Sequence, residues 1–328
     1  VAILIMTEAA KGVRKWNGNR TKTFPSFLLV CVTVIYIPLM LCGLIGNILT
    51  ILVVVLRPHM RSSTYLYLSS MAVSDLLILL LLPLDLYKLW RPRPWPLGDL
   101  ACKLTMFLSE CCTFCTILHI TFLSLERYLA VCWPITAKTL VTRRRTRTVI
   151  GCLWLGAAVS AAPVLIMVGV EDIGEFDLRE CRCTHYAVSS GLLSAMMILS
   201  NLYFLIPLCI LGLVYSLIGR TLCLRPKSSR RDQSHRHTNK MLGVIVLAFV
   251  LCWLPFHVGR TIFSFSMGSY FNLVSSVLFY LSAAVNPLLY NLMSARYRRA
   301  VHSLVHTHTR RQRHRLRTIS TRHSSTML

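Results

Sequence analysis

Ionisable side chains lie within long apolar stretches of this 328-residue sequence, and each costs roughly 2.5 to 3.5 kcal/mol to insert into a membrane. Each therefore needs a partner or a function. His257 and Arg260 are three residues apart, so they share one face of a helix. An opposite charge is the least costly partner for Arg260, and Glu110 or Asp85 can supply it. Because these residues crowd one end of their stretches, we interpret them as the charged floor of a ligand cavity; the alternative is a salt bridge that only fixes helix packing.

A second polar set lies nearer the middle of the apolar stretches. Its members carry oxygen atoms of the kind that suits a sodium ion. They are Asn47, Asp75, Thr116, Ser282 and Asn286. We interpret the set as a small hydrated site for an allosteric sodium ion, and the alternative is a polar network that only holds helices together. No other cofactor is expected.

Patterns typical of enzymes and metal sites are missing from the sequence. His119 has no second ligand at helical spacing apart from Cys115, which is more simply a core residue, so no metal site is expected. Neither an HExxH nor a GxSxG motif occurs. Asp75 and Asp85 share one stretch, which argues against an intramembrane protease, and the last stretch has no Lys for a retinal Schiff base. The sequence therefore indicates a protein that is not an enzyme.

Seven apolar stretches of roughly 20 residues or more must position these side chains. They cover 27–56, 64–90, 100–132, 148–170, 188–219, 241–264 and 269–293. Lipid offers no partners for backbone polar groups, and the stretches are far longer than the strands of a membrane barrel. The sequence therefore predicts an all-α fold, a bundle of seven transmembrane helices.

The positive charges lie mainly between the apolar stretches or after the last one, although Lys and Arg number 36 against 12 Asp and Glu. A nucleic-acid-binding protein would carry them on a soluble surface, so their placement favours a multi-pass protein of the plasma membrane. By the positive-inside rule the basic loops and tail are cytoplasmic and the N-terminus is outside. The basic residues of the N-terminal segment disagree, whereas a glycosylation sequon at Asn19 agrees.

Prolines interrupt the last three stretches. Pro207, Pro255 and Pro287 each remove a backbone hydrogen bond and bend their helix. Trp253, two residues before Pro255, places a large ring at a bend. These bends predict hinges on which the cytoplasmic ends of the helices can swing.

Taken in order, these motifs resemble the rhodopsin-like class of G-protein-coupled receptors over nearly all of residues 27–300. The matching motifs are Gly46-Asn47, Leu68-Ser69 through Asp75, Glu126-Arg127-Tyr128, Trp154, Pro207 with Tyr215, Cys252-Trp253-Leu254-Pro255 and Asn286-Pro287-Leu288-Leu289-Tyr290. The resemblance implies three regions: an extracellular segment 1–26, a receptor domain 27–293, and a cytoplasmic region 294–328 with a short amphipathic eighth helix and a basic tail.

A narrower resemblance is to the ghrelin and motilin receptor group. It is carried by Pro83-Leu84-Asp85-Leu86, Arg93-Pro94-Trp95 and Trp253-Leu254-Pro255-Phe256-His257-Val258-Gly259-Arg260. Two motifs, Leu118-His119 and Glu126-Arg127-Tyr128-Leu129-Ala130, lean toward the motilin receptor, while the short loop after the fourth stretch is closer to ghrelin receptors. We therefore expect a receptor for motilin, with acyl-ghrelin as the alternative. A transporter is the remaining rival, but it would need a continuous polar path and repeated halves.

The resemblance also implies residue roles. The peptide pocket is lined by Asp85, Glu110, Phe256, His257, Arg260 and Phe279, with Glu110 facing Arg260. The activation switch comprises Glu126, Arg127, Tyr215, Trp253, Pro255, Asn286, Pro287 and Tyr290, with Glu126 holding Arg127 in the inactive state. A disulfide joins Cys102 to the loop after the fourth stretch, where Cys181 fits the family position and Cys183 is the alternative.

The implied partners are an extracellular peptide hormone, a G protein of the Gq type and arrestin. The Ser/Thr-rich tail at 318–326 is either a phosphorylation site on which arrestin docks or a disordered linker. The tail has no Cys after Tyr290 to carry a palmitoyl anchor. Basic residues around Arg296 to Arg299 must therefore hold the eighth helix against the acidic leaflet. The sequence thus implies contact with the bilayer but not with nucleic acid.

Signalling without ligand is the first testable expectation. No acidic residue stands at the start of the sixth stretch, where His235 and Arg236 occupy the turn that faces Arg127, so a lock across the helices is missing. Cells expressing the receptor should have calcium or inositol phosphate levels above those of mock-transfected cells at verified surface expression. Equal levels would contradict the expectation.

Overall fold

Seven long helices form a bundle in the computed structural model, which describes residues 26–91, 94–172, 179–224, 230–262 and 269–304. We call the helices spans one to seven. They are Ser26–Leu56, Ser63–Trp90, Gly98–Cys132, Arg143–Ala161, Leu192–Leu224, Arg230–Ile262 and Ser269–Met293. Shorter helices cover Pro58–Met60, Pro134–Leu140, Val164–Met167 and His185–Ser189. The predicted seven-helix bundle is confirmed.

Length and composition allow six of these helices to cross a membrane. In span six the apolar part that the structure describes is Leu242–Val258, and the helix begins at Arg230, well before the predicted start at 241. The extra turns are polar, so hydropathy marks only the part of a helix that lies in lipid. Span three is the most buried of these six and packs against spans two, four and five.

The segment after span four forms an antiparallel hairpin rather than more helix. Span four ends at Ala161, and strand β1 (Val168–Asp172) pairs with β2 (Arg179–Cys183). The prediction that the fourth helix continues to 170 is therefore wrong. Pro163 interrupts the helix, a single further turn covers Val164–Met167, and the apolar residues from Val168 onward lie in a strand, which a count of apolar residues does not distinguish from a helix.

Span five begins at Leu192, four residues after the predicted start. A separate turn, His185–Ser189, precedes it, and Gly191 between the two has φ 76°, a conformation that favours glycine. This glycine ends the short helix and redirects the chain into span five.

Spans one and seven approach each other closely at two glycines of span one. A Cβ atom at Gly46 would lie 2.8 Å from the Cβ of Pro287, and one at Gly43 would lie 3.0 Å from the Cβ of Ala284. The amide of Asn47 donates to the carbonyl oxygen of Ala283 at 3.0 Å. Small residues thus allow span one to dock at the bend of span seven.

An eighth helix covers 295–304. Tyr297 and Ala300 are buried on one of its faces, whereas Arg296, Arg298 and Arg299 are exposed. The hydroxyl groups of Tyr297 and Thr50 are hydrogen-bonded at 2.9 Å, which ties this helix to span one. The predicted short amphipathic eighth helix is therefore confirmed. We call this the eighth-helix end of the bundle and the other the hairpin end.

Replacing Gly46 by Ala should lower the thermal stability of the purified receptor. The new methyl group meets the rigid ring of Pro287, and overpacking of this kind costs about 1 to 3 kcal/mol. Gly156 is the matched control because an added Cβ there meets nothing within 4 Å, so Gly156→Ala should leave the melting temperature equal or higher. Equal melting temperatures for the two variants would contradict the close approach.

Candidate functional site

The hairpin is attached to the bundle at several points. A disulfide joins Cys181 of β2 to Cys102 at the start of span three, which is the pairing that the family position of Cys181 implied. The backbone N–H of Trp95 donates to the carbonyl oxygen of Arg179 at 2.8 Å. The backbone N–H of Val170 donates to the Asp99 carboxylate at 3.0 Å. These contacts hold the hairpin over this end of the spans.

The second cysteine of the loop, Cys183, is a buried thiol that forms no disulfide. Burial, with a smaller contribution from the negative charge of Glu171, raises its pKa from 9.0 to about 11. The thiolate is the reactive form of cysteine, so at pH 8 the shift leaves about a hundredfold less of it. Cys183 is therefore a packed apolar residue of the hairpin.

Aromatic rings from spans five, six and seven form a cluster below the hairpin. The ring of His257 is stacked on that of Phe204, with centroids 4.4 Å apart, and its Nδ1 lies 3.3 Å from the Asn201 Oδ1. Trp253 meets Phe279 edge to face at 5.2 Å and Phe256 at 5.8 Å. All of the predicted aromatic pocket residues and the switch residue Trp253 therefore belong to one buried cluster.

The acidic residue Asp85 lies beside this cluster, and its partner is a tyrosine. The hydroxyl of Tyr280 donates to Asp85 Oδ2 at 2.5 Å. The ring of Tyr280 in turn meets those of Phe279 and Tyr36, at 5.1 and 5.3 Å. Asp85 therefore joins spans two and seven through a neutral donor.

Glu110 is 4% exposed and lies within span three. Arg260 belongs to span six, but its side chain lies outside the part that the structure describes. The pair that the resemblance implies remains a prediction. Glycosylation at Asn19 and the tail at 318–326 also lie outside the described residues.

Sequence reasoning missed four members of the hairpin-end site: Tyr36, Asn201, Phe204 and Tyr280. Tyr280 had the clearest signal, because a tyrosine within an apolar span needs an acceptor for its hydroxyl group. For Phe204 and Asn201 the sequence indicated only that they lie one turn apart on the same face of span five.

The predicted sodium set is brought together in part. Asn286 donates to Asp75 Oδ2 at 3.0 Å, and both residues are buried. Thr116 is hydrogen-bonded to Ser74, at 2.9 Å, rather than to Asp75 itself. Ser282 donates to the Phe279 carbonyl of its own helix at 2.6 Å. Among the described members of the set, only Asn286 therefore contacts the Asp75 carboxylate directly, and the others belong to a wider polar network.

Two groups of contacts involve the switch residues at the eighth-helix end. Tyr290 is buried, with its ring centroid 6.3 Å from that of Tyr297. Arg127 is half-buried and interacts electrostatically with Glu126 and Tyr215. Pro255 and Pro287 lie inside spans six and seven as predicted.

The expected hold of Glu126 on Arg127 is not observed. Within the part of the chain that the structure covers, these two residues form no direct ion pair, and Glu126 accepts hydrogen bonds from hydroxyl groups instead. Tyr67 donates to Glu126 Oε1 at 3.0 Å, and Thr146 lies 3.4 Å from the same oxygen. Since hydroxyl groups already satisfy the carboxylate, its neighbour Arg127 is not required as its partner.

The arrangement can bind but has no catalytic set. Among the described residues no group of three His, Cys, Asp or Glu could hold a metal ion. At the hairpin end, Asp85 and Glu110 accompany a cluster of aromatic rings, and at the eighth-helix end the cation is the half-buried guanidinium of Arg127. An aromatic cluster containing Trp253 lies between the two ends. The geometry is that of two separate binding regions in one bundle.

Comparisons with known proteins agree with this geometry. The family described as 7 transmembrane receptor (rhodopsin family) matches residues 46–290. The chain is 52% identical over 301 residues to growth hormone secretagogue receptor type 1 of Sus scrofa, covering 86% of this chain and 82% of that protein. It is 50% identical over 317 residues to the Homo sapiens receptor of that name, covering 91% and 87%. It is 41% identical over 347 residues to the motilin receptor of Homo sapiens, covering 88% and 84%.

The two loop cysteines should behave differently when replaced. Cys181→Ala removes the disulfide, a loss of about 2 to 4 kcal/mol, and should reduce surface expression and peptide response. The matched variant Cys183→Ala removes only a buried thiol and should leave the dose–response curve and the disulfide unchanged. Mass spectrometry of non-reduced digests checks the pairing, and a peptide that links Cys102 to Cys183 in the wild type would contradict it.

Proposed function

The chain belongs to the rhodopsin family of seven-transmembrane receptors, in the group of the ghrelin and motilin receptors, and on that premise we propose that it is a growth hormone secretagogue receptor activated by an acylated ghrelin peptide. Its family makes it a multi-pass membrane receptor for a peptide hormone that couples to G proteins, and not an enzyme. The observation that carries the choice of ligand is 52% identity over 86% of the chain.

The same observation weakens the expectation of motilin. Identity with the motilin receptor is 41%, against 50% with the growth hormone secretagogue receptor of the same organism. Leu118-His119, on which the motilin expectation rested in part, lies within span three, where the His119 ring meets the edges of the Tyr67 and Trp154 rings. Core packing explains this histidine without a role in ligand choice.

The proposed pocket is the hairpin end, lined by Asp85, Glu110, Phe256, His257, Arg260 and Phe279. Carboxylates there suit a cationic group of the peptide, such as its terminal amine, and aromatic walls suit an apolar acyl chain. A ligand that enters between these groups competes with Tyr280 for the Asp85 carboxylate. Such competition gives the ligand unequal affinity for two arrangements of the bundle, which is what activation requires.

The effect of ligand passes through Trp253 in this proposal. Its ring meets Phe256 and Phe279 on one side and Phe249 at 6.1 Å. Pro255 in the same helix provides the bend about which the cytoplasmic part of span six swings. The opened end would receive a G protein at Arg127.

Several finer features extend the proposal. The receptor couples to the Gq type, docks arrestin on its tail, and resides in the plasma membrane with its N-terminus outside. An allosteric sodium ion fits the polar network, because Asp75 is a buried carboxylate and Asn47 Oδ1 is a buried oxygen without a hydrogen-bond partner among the described residues. These residues would hold the ion through oxygen ligands, as sodium prefers.

A calcium assay separates the two candidate peptides. Cells that express the receptor are titrated with acylated ghrelin, with the same peptide lacking its acyl group, and with motilin. We expect the acylated peptide to act at the lowest concentration, because it adds an apolar acyl chain to the cationic amine that all three peptides carry. A response to motilin alone would reverse the choice, and a response to neither would reject the ligand class.

Arg260→Ala should abolish the peptide response while the receptor remains at the cell surface. The change leaves the buried acid Glu110 without the partner that the resemblance assigns to it. Arg91→Ala, at an exposed arginine that follows span two, is the matched control and should respond like the wild type. An unchanged dose–response curve for Arg260→Ala, with surface expression verified by antibody, would reject the pocket assignment.

A further inference from the structure

The Glu126 carboxylate lies among three hydroxyl groups at the eighth-helix end. Tyr67 donates to its Oε1 at 3.0 Å, and Thr146 approaches the same atom at 3.4 Å. Ser63 donates to its Oε2. The hydroxyl groups of Ser63 and Thr146 are also hydrogen-bonded to each other, at 2.9 Å. We call these three residues the hydroxyl cradle of Glu126.

Three different helices meet at the cradle. Ser63 and Tyr67 lie one turn apart in the first two turns of span two, and Thr146 lies in the first turn of span four. Glu126 belongs to span three, and Thr146 and Tyr67 are almost fully buried. The cradle therefore fixes both oxygens of the carboxylate by contacts to the two helices beside span three.

Arg127 follows Glu126 directly in span three. The two residues form no direct ion pair in the described part of the chain, and Arg127 Nε is buried without a hydrogen-bond partner there. Its electrostatic neighbours are Glu126 and Tyr215 of span five. A hydrogen bond to a charged acceptor is stronger than one between neutral groups, and hydroxyl groups here occupy both oxygens of the carboxylate, so Arg127 would have to displace them to pair with Glu126.

We propose that the hydroxyl cradle positions Glu126 and so keeps Arg127 available to the G protein in the absence of ligand. Tyr67 is its principal positioning residue, because it is the largest buried donor and joins span two to span three. This inference rests on the proposed coupling to G proteins but not on the identity of the peptide. The inference makes the level of basal signalling depend on residues of spans two and four, and not only on the turn of span six that faces Arg127.

The test is Tyr67→Phe, which removes the hydroxyl group and keeps the ring. Without this donor Glu126 turns toward Arg127, and basal nucleotide exchange should fall about tenfold, the effect of losing one hydrogen bond to a charged group. Exchange is measured in membranes supplied in turn with each class of G protein and is normalised to surface receptor number. Tyr65→Phe is the matched control, because Tyr65 bonds Ser294 at 3.3 Å and has no contact with Glu126.

A second pair of variants guards against a folding defect. Thr146→Val replaces a hydroxyl group by a methyl group and should lower basal exchange in the same direction. In receptors that carry Glu126→Gln, residue 126 has no charge to give Arg127, so adding Tyr67→Phe should change nothing. This double-mutant cycle separates an effect on Glu126 from a general loss of packing.

Each outcome decides the inference. It is supported if Tyr67→Phe lowers basal exchange only when residue 126 is Glu. It is overturned if basal exchange is unchanged or raised, if Tyr65→Phe has the same effect, or if the wild type drives exchange on no class of G protein. If only the proposed ligand is wrong, the result is different. Acylated ghrelin then acts on no variant, while the difference in basal exchange between wild type and Tyr67→Phe persists.

Discussion

A bilayer has no water in its core, and this constraint governs every polar contact inside the bundle. The backbone satisfies it by forming helices. Side chains must satisfy it with each other, and three carboxylates within the described spans do so with neutral donors. Asp75 accepts from Asn286, Asp85 from Tyr280, and Glu126 from a set of hydroxyl groups. Each of these contacts crosses from one helix to another, so the polar groups that lipid cannot solvate also hold the spans together.

Neutral donors suit a bundle that must change shape. A buried ion pair is strongly destabilised when one partner leaves, because an uncompensated charge remains. A carboxylate that loses a hydroxyl group can accept from another, or from a ligand. In the proposed mechanism Asp85 exchanges Tyr280 for a peptide cation, and Glu126 exchanges its donors for Arg127. The two ends of the receptor thus use the same chemistry for different purposes.

Hydropathy predicted the seven helices, because lipid imposes length and composition on a span, whereas the eighth helix was predicted from the family resemblance. Hydropathy failed at Pro163, after which the chain forms the hairpin β1–β2, since an apolar strand and an apolar helix look alike in composition. Resemblance found Glu126 but not its partners. Tyr67 is 59 positions away, and serine and threonine are too common to single out by type. Such contacts depend on the packing of helices, which a single sequence does not specify.

The aromatic cluster explains how events at one end can reach the other. Trp253 is buried among Phe249, Phe256 and Phe279, and close-packed rings of this size have few arrangements that fill the same space. In the proposed mechanism a ligand that displaces Phe279 therefore forces Trp253 to repack rather than to shift slightly. Since Trp253 stands two residues before Pro255, the repacking occurs where the helix lacks a backbone hydrogen bond and bends most easily. The same proline that weakens span six thus lets a small change among side chains become a movement of the whole helix.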